Sequence, residues 1–393
     1  MSVKGRSLIT MDDLAEEDIG GLLDTAEQMA EAIGFDDPQT RQMPDRLDRI
    51  LATCFFEPST RTRLSFESAM LRLGGSVIGF ADAKATSVKK RETVADTARI
   101  ISGYADIIVM RHPLAGAARV ASEAATVPVI NAGDGSHAHP TQTLTDLFCI
   151  KRKKGRLDGL KIGLCGDLKY GRTVHSLGPV MRRLGAECIC IAPASLAMPQ
   201  EFIEAMTPAS GAPPRQVEDL DEVLGELDVL YATRVQAERF EDPAEYEKVA
   251  GSYVIDAEVM ARAPGEMIVM HPLPRVDEIH PEIDTDERAA YFEQAAGGVP
   301  VRMALISHIL GLAEPGRRGM RGFGDAPEAA AEPGPARPDT EPEMVPASAV
   351  GKCRNPNCIT NDDNERFLEG KLCKLRGDPP RYKCAYCEQL LEA

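Results

Sequence analysis

Residues 51–67 read LATCFFEPSTRTRLSFE. Six apolar or small residues run straight into Glu57-Pro58-Ser59-Thr60-Arg61-Thr62-Arg63, and apolar residues then recur at three- and four-residue spacing through Leu73. An unbroken apolar run predicts a strand covered on both faces, and the spacing after it predicts a helix. The polar junction sits where the helix N-terminus leaves backbone N–H groups without partners. Three hydroxyls and an arginine there make an anion cradle suited to phosphate. Helix capping by Ser or Thr is the plainer reading, but one hydroxyl suffices for a cap and arginine is not required.

The same strand–loop–helix grammar repeats along the chain. Strands are predicted at Leu51–Phe56, Asp106–Met110, Val127–Ile130, Lys161–Cys165, Glu187–Ile191, Val229–Ala232 and Met267–Met270. Helices are predicted at Thr62–Leu73, Glu92–Gly103, Thr141–Lys154 and Thr173–Leu184. Alternation of this kind predicts an α/β protein with two lobes, each with a mainly parallel sheet. The basic run KRKKGRLD at 151–158 ends a helix, where cations favour the dipole, and marks the boundary between lobes.

Composition sets the outer limits. The chain has 393 residues, 61 acidic against 45 basic side chains, a net charge of −16, no Trp and 43% hydrophobic residues. That is an ordinary globular composition and argues against disorder or a fibrous class. It also argues against a protein that coats nucleic acid or anionic membrane. No apolar stretch reaches the roughly eighteen residues of a membrane span. The N-terminus lacks the apolar core of a secretory signal, so a cytoplasmic setting is expected.

The ten cysteines are unevenly placed. Cys54, Cys149, Cys165, Cys188 and Cys190 lie in apolar runs and read as core, whereas Cys353, Cys358, Cys373, Cys384 and Cys387 crowd the C-terminus. Cys353-x4-Cys358 and Cys384-x2-Cys387 form two thiolate pairs suited to a tetrahedral structural zinc site, with Cys373 left over. Two disulfides are the lesser alternative in a cytosolic chain. Residues 315–350 hold seven prolines and little to bury, and read as a solvated linker. The expected organisation is 1–150, 151–314, a linker at 315–350, and a small zinc-bound β-rich domain at 351–393.

Five further strand ends carry cations or imidazoles: Met110-Arg111-His112, the 133–142 segment GDGSHAHPTQ, the 167–173 segment DLKYGRT, Thr233-Arg234-Val235-Gln236, and His271-Pro272-Leu273-Pro274-Arg275. Open α/β sheets bind ligands at the carboxyl ends of their strands, so an acidic chain with this arrangement is built for anionic substrates. There is no Gly-x-x-x-x-Gly-Lys-Ser/Thr loop and no Gly-x-Ser-x-Gly elbow. Gly163, Gly166 and Gly171 lack dinucleotide spacing, and His137 and His139 lack partners at metal-ligand spacing. Direct transfer between two bound substrates, by positioning and charge stabilisation, fits best.

The segments FFEPSTRTRLSFE, SVKKRET, MRHP, GDGSHAHPTQTLTDL, GDLKYGRTVHSL, TRVQAERF and HPLPRVDEIHPEID resemble the catalytic chain of aspartate carbamoyltransferase over roughly residues 5–313, in family order. The resemblance implies transfer of a carbamoyl group from carbamoyl phosphate to L-aspartate in pyrimidine biosynthesis, with no organic cofactor. It implies that Ser59, Thr60, Arg61 and Thr62 bind the phosphate, and that Thr62, Arg111 and His139 contact the carbonyl oxygen. Gln142 and the Leu273 and Pro274 carbonyls would hold the carbamoyl amide; Arg172, Arg234 and Gln236 would hold aspartate. Ser87 and Lys90 would enter a neighbouring subunit's site, Lys90 touching both substrates, so a catalytic trimer is implied. Glu57 would tie the lobes through Arg172 and Arg234. The family's Lys-Gly-Glu-Thr reads Lys90-Arg91-Glu92-Thr93 here, which puts the loop's backbone freedom in question. The C-terminal string GKCRNPNCIT…YKCAYCE resembles the zinc domain of the family's regulatory chain, without the nucleotide-binding domain that precedes it there. An assembly role follows, with two trimers joined through zinc domains. Rival readings are a carbamoyltransferase for another amino acid, an anion-binding scaffold, and a nucleic-acid-binding tail. Asp362, Asp363, Glu365 and Glu369 weaken the last of these.

Overall fold

The structure is a computed structural model. It describes residues 3–42, 46–83, 86–209, 211–235, 246–247, 249, 251–312, 343–365, 367–375 and 381–391. The chain forms two compact units, residues 1–140 with 302–393, and residues 141–301.

The first unit begins with α1 (Glu16–Ala32) and then builds β1 (Ile50–Phe55), α2 (Thr60–Arg72), β2 (Ser76–Phe80), α3 (Val94–Ser102), β3 (Ile107–His112), α4 (Ala117–Ala124) and β4 (Val129–Asp134). Its sheet is parallel, in the order β2-β1-β3-β4. Leu51, Phe55, Ile107 to Val109, Val129 and Ile130 are wholly buried, as unbroken apolar strands require. The edge strand β2 was not foreseen. Its residues are exposed or half-buried, so it lacks the apolar signal of its neighbours.

The second unit contains α5 (Pro140–Lys154, of which Pro140 belongs to the first unit), β5 (Lys161–Cys165), α6 (Arg172–Arg183), β6 (Glu187–Ile191), α7 (Gln200–Met206) and β7 (Arg215–Val217). It continues through β8 (Val229–Ala232), α8 (Ala257–Arg262), β9 (Ile268–Met270), α9 (Tyr291–Ala296) and the start of α10 (Gly298–Ile309). The sheet is parallel, in the order β7-β6-β5-β8-β9. The sequence reading divides the lobes at residue 150, but α5 packs with the second unit because Asp146 bonds Tyr231 and Gln294 there. The basic end of α5 is taken up locally: Lys153 Nζ lies 2.5 Å from Glu293, and Lys154 Nζ donates to the Glu266 carbonyl. That is the dipole-and-ion-pair role, not an anion site.

The C-terminal module is an antiparallel sheet, β10 (Met344–Pro346), β11 (Lys371–Leu375), β12 (Arg381–Cys384) and β13 (Leu390–Leu391), paired in sequence order, with the short helix α11 (Ala347–Val350). β10 and α11 lie inside the stretch expected to be linker. Met-Val-Pro pairs by backbone with Lys371–Cys373, which leaves no periodic apolar trace in the sequence. Residues 315–342 of that stretch lie outside the described residues. Two parallel-sheet lobes and a small β-rich C-terminal module bear out the expected fold class.

The module is part of the first unit's core. Ile108, Met110, Ala115, Ala118 and Ala121 share one apolar cluster with Cys358, Ile359, Leu372, Tyr386 and Leu391. Ala115 N–H donates to the Asn357 carbonyl and Ile359 N–H donates to the Ala115 carbonyl, both at 2.9 Å. Gly116 makes this approach possible. It sits at φ +89°, and a Cβ there would lie 2.8 Å from the Tyr386 carbonyl carbon.

Candidate active site and metal centre

In the first unit the segment expected to form an anion cradle is the start of α2. Ser59 is the N-cap of α2, yet its side chain makes no capping hydrogen bond. The capping reading therefore does not account for the hydroxyl. Thr60, Arg61 and Thr62 form the first turn, where backbone N–H groups are free of intrahelical partners. Thr62 is buried.

Arg111 lies near the end of β3, where the register with β4 shifts between Met110 and His112. Such a bulge re-aims the residue it carries. Arg111 Nη2 lies 3.0 Å from Glu57 Oε2, and Nη1 donates to the Ala132 carbonyl at 3.3 Å. Glu57 thus pairs inside its own unit. Burial pulls the Arg111 guanidinium below its ordinary pKa against the opposing pull of Glu57. Arg61 is lowered too, by burial and by the charge of Arg111. The charge of Arg111 is thus felt at Arg61, and a cation held in the field of another favours an anion beside it.

His139 is buried and immediately precedes α5. Two residues earlier, the His137 ring Nδ1 lies 2.9 Å from Asp134 Oδ2. Asp134 also accepts from the N–H of Gly116 and of Ala138 and from the Asn131 amide. Asp134 is the hub of this loop, which residue spacing gave no reason to single out. Ser87 and Lys90 lie in an exposed turn, and the next residue, Arg91, takes φ +64°. Arginine here adopts the left-handed backbone that glycine occupies without strain, at a cost of about 1–2 kcal/mol.

In the second unit Arg172 is the first residue of α6, and Arg234 follows β8 half-buried. Gln236 lies outside the described residues. Gln142 sits in the first turn of α5 and donates from Nε2 to Asp146 Oδ1 at 2.8 Å. The Leu273–Pro274 bond is cis and Leu273 has φ +53°. The Leu273 N–H donates to His271 Nδ1 at 2.8 Å. Arg275, the cation of the same loop, donates from Nη2 to Asp284 Oδ2 at 2.6 Å and stacks over Tyr291. It is committed to Asp284 and Tyr291 inside its own unit.

The four paired cysteines of the module converge. Cys353, Cys358, Cys384 and Cys387 are buried, with all Sγ atoms within 4.8 Å of one another. Cys353 and Cys387 are 3.4 Å apart, and Cys358 and Cys384 are 3.8 Å apart. These separations exceed a disulfide bond of about 2.05 Å. They approach the roughly 3.8 Å edge of a tetrahedron with metal–sulfur bonds of about 2.3 Å. Hydrogen bonds from Cys353 and its neighbours draw Cys384 strongly toward thiolate and Cys358 down to about 7. The same hydrogen bonds push Cys353 and Cys387 up, so the four thiols share their protons as one group, and this soft, closed donor set fits a structural metal ion. Cys373 is not part of it; its Sγ lies 3.4 Å from Met344 Sδ.

Comparison with known proteins agrees with these features. Residues 6–152 match the family model "Aspartate/ornithine carbamoyltransferase, carbamoyl-P binding domain" and residues 158–309 match its "Asp/Orn binding domain". Residues 348–393 match "Aspartate carbamoyltransferase regulatory chain, metal binding domain". The aspartate carbamoyltransferase catalytic subunit of Thermococcus onnurineus is 53% identical over 314 residues, 80% of this chain and 100% of that protein. That of Archaeoglobus fulgidus is 52% identical over 307 residues, 78% of this chain and 99% of that protein. The solved catalytic subunit of M. jannaschii aspartate transcarbamoylase superposes with TM-score 0.72 at 50% identity, covering 78% of this chain and 98% of that one. The Trypanosoma cruzi enzyme in complex with carbamoyl phosphate and aspartate gives 0.73 at 41% identity, covering 78% of this chain and 98% of that one. This chain therefore belongs to the aspartate/ornithine carbamoyltransferase family and carries at its C-terminus the metal-binding domain of the aspartate enzyme's regulatory chain.

Proposed function

We infer that the chain transfers the carbamoyl group of carbamoyl phosphate to the amine of L-aspartate, giving N-carbamoyl-L-aspartate and phosphate, as a step of pyrimidine biosynthesis. The observation that carries this reading is the first turn of α2, where Ser59 is an N-cap without a side-chain capping bond and Arg61 lies in the field of Arg111. Ser59, Thr60, Arg61 and Thr62 hold the phosphate. Thr62, Arg111 and His139 stabilise the carbonyl oxygen as the neutral amine attacks and negative charge grows there. The carbon–oxygen bond to phosphate then breaks, and phosphate leaves with the electron pair onto the cations that bound it, taking the proton that the attacking amine gives up. Gln142 and the Leu273 and Pro274 carbonyls accept from the carbamoyl NH2. Arg172, Arg234 and Gln236 hold the aspartate carboxylates, with Lys90 reaching both substrates. Two anions repel, so cationic side chains are what bring them to contact distance.

The metal is zinc, held by Cys353, Cys358, Cys384 and Cys387, and it cross-links the module without entering the reaction. The active particle contains a trimer in which Ser87 and Lys90 serve a neighbouring subunit, with zinc domains joining two trimers. Exposure of Leu64 and Leu71, seven residues apart on α2, and of Tyr104 supports burial of that face in an oligomer. The setting is cytoplasmic, in keeping with ten cysteines free of disulfides. Among the described residues no helix is long and apolar enough to cross a membrane. A phosphate-release assay tests the activity: release must require carbamoyl phosphate and aspartate together, and no aspartate dependence would overturn the reading. Native mass of the same sample tests the trimer.

A further inference from the structure

We propose that Asp146 is a positioning residue that makes this chain select carbamoyl phosphate over its methyl counterpart, acetyl phosphate, by fixing which end of the Gln142 amide meets the ligand. The proposal rests on the reading of Gln142 given above and deepens it.

Asp146 is wholly buried and joins three side chains of the second unit. Its Oδ1 accepts from Gln142 Nε2 at 2.8 Å and from Gln294 Nε2 at 2.7 Å; its Oδ2 accepts from the Tyr231 hydroxyl at 2.9 Å. A carboxylate engaged on both oxygens can only accept, so the nitrogen end of each amide must face it. For Gln294 the assignment is locked twice, because its Oε1 accepts from the His271 N–H at 2.9 Å and a backbone N–H can only donate. Gln142 has no such second lock. Its orientation depends on Asp146 alone, and the consequence is that Gln142 offers the ligand Oε1, an acceptor.

That polarity matches a carbamoyl NH2, which donates, and gives nothing to a methyl group. If the amide turned over, its own NH2 would oppose the carbamoyl NH2 donor to donor. The network also reaches the other acceptors assigned to the same amide. Gln294 holds His271, and His271 Nδ1 holds the Leu273 N–H, so the loop bearing the Leu273 and Pro274 carbonyls hangs from the same carboxylate. A buried charge is expensive, and a hub serving only to satisfy Tyr231 would not need one.

The experiment uses the full chain and compares the KM of carbamoyl phosphate with the inhibition constant of acetyl phosphate. Asp146→Ala should raise the KM at least about tenfold while the acetyl phosphate constant moves little, so discrimination falls by that factor. Asp146→Asn, which keeps an oxygen for the amide donors, should retain most of the discrimination. Tyr231→Phe should lower thermal stability and leave discrimination within about twofold, since its hydroxyl bonds Oδ2 and not the Oδ1 that holds Gln142. A folded Asp146→Ala with wild-type discrimination, or a Tyr231→Phe that loses as much, would overturn the proposal. If Asp146→Ala does not fold, Gln142→Glu sets a second carboxylate against Asp146. Its KM should then climb as pH rises, and adding Asp146→Asn should flatten the climb. A profile unchanged by Asp146→Asn would likewise overturn it. Failure of the wild-type chain to release phosphate with aspartate would instead sink the underlying reading, which separates the two.

Discussion

Glu365 Oε1 accepts a 2.6 Å hydrogen bond from the Val94 N–H, so the C-terminal module caps the helix that follows Ser87 and Lys90. It is one of three contacts of the same kind. Asn357 and Ile359 clasp Ala115 just after Arg111, and Glu388 Oε2 lies 3.6 Å from the Nε2 of His137, two residues before His139. The module grips the first unit at the roots of three loops that bear candidate site residues. A helix N-terminus leaves N–H groups without intrahelical partners, and a carboxylate there also meets the dipole.

Glu365 is buried, and burial pushes its carboxyl above the ordinary value despite the Val94 bond. A folded-state value above the unfolded one means that the native chain binds the extra proton. The Glu365 contribution is therefore largest in acid and is lost as pH rises through the folded value. Glu365→Gln keeps an acceptor for Val94 without a charge. It should match or exceed wild-type stability near neutrality and lack this acid-side gain, whereas Glu365→Ala should cost about 1–3 kcal/mol. Thermal melting from about pH 4 to neutrality checks both.

His137 runs the opposite way. Burial would depress its pKa, but Asp134, with help from Glu388, outweighs this and pushes it up to about 10. An imidazole raised in the folded state stabilises fully below its unfolded value near 6.5 and loses that contribution as pH climbs toward the folded value. The wild-type chain should lose stability steadily between about pH 7 and pH 10, and His137→Asn should flatten that slope. Equal slopes in denaturant titrations of the two proteins would contradict the Asp134–His137 pairing.

Metal removal should act on the first unit as a whole. Cys358 and Cys384 share an apolar cluster with Ile108, Ala115 and Ala118, so loss of the metal exposes that face along with the module. Cys384→Ser should abolish the single equivalent of bound metal expected of one four-thiol cluster and lower the melting midpoint by several degrees. Cys373→Ser, outside the cluster, should retain the metal. Metal analysis with calorimetry on both variants decides this.

Much of the fold was legible because parallel strands buried on both faces carry near-continuous apolar runs. Lys161–Cys165, Glu187–Ile191 and Val229–Ala232 match their predicted bounds. The edge strands Ser76–Phe80 and Arg215–Val217 were not foreseen, because half-exposed edges mix polar and apolar residues. The convergence of Cys353, Cys358, Cys384 and Cys387 was readable from spacing alone, since two close pairs of thiols suit one tetrahedral site. The docking of the module was not, because it depends on pairs such as Val94 with Glu365, 271 residues apart, that leave no local pattern. Asp146 looks in sequence like any polar residue of a helix, and only the fold sets Tyr231 and Gln294 beside it.

Arg61 and Arg275 both follow strands, and the structure separates them. Arg61→Ala should lower kcat/KM by about a hundred- to a thousandfold, roughly 3–4 kcal/mol of lost transition-state stabilisation. Arg275 is bound to Asp284 and Tyr291, and its pKa is raised chiefly by the Asp284 hydrogen bond. Arg275→Ala should cost about 1–3 kcal/mol of stability and leave kcat/KM within about threefold. Steady-state kinetics beside thermal melts checks the division.

The most direct test of the central claim is an acceptor competition. The purified full chain is given carbamoyl phosphate with equal aspartate and ornithine, and the carbamoylated products are identified by mass spectrometry. The account predicts carbamoyl aspartate as the dominant product, with phosphate released in step. Carbamoyl ornithine as the main product, or phosphate release independent of either amine, would contradict it.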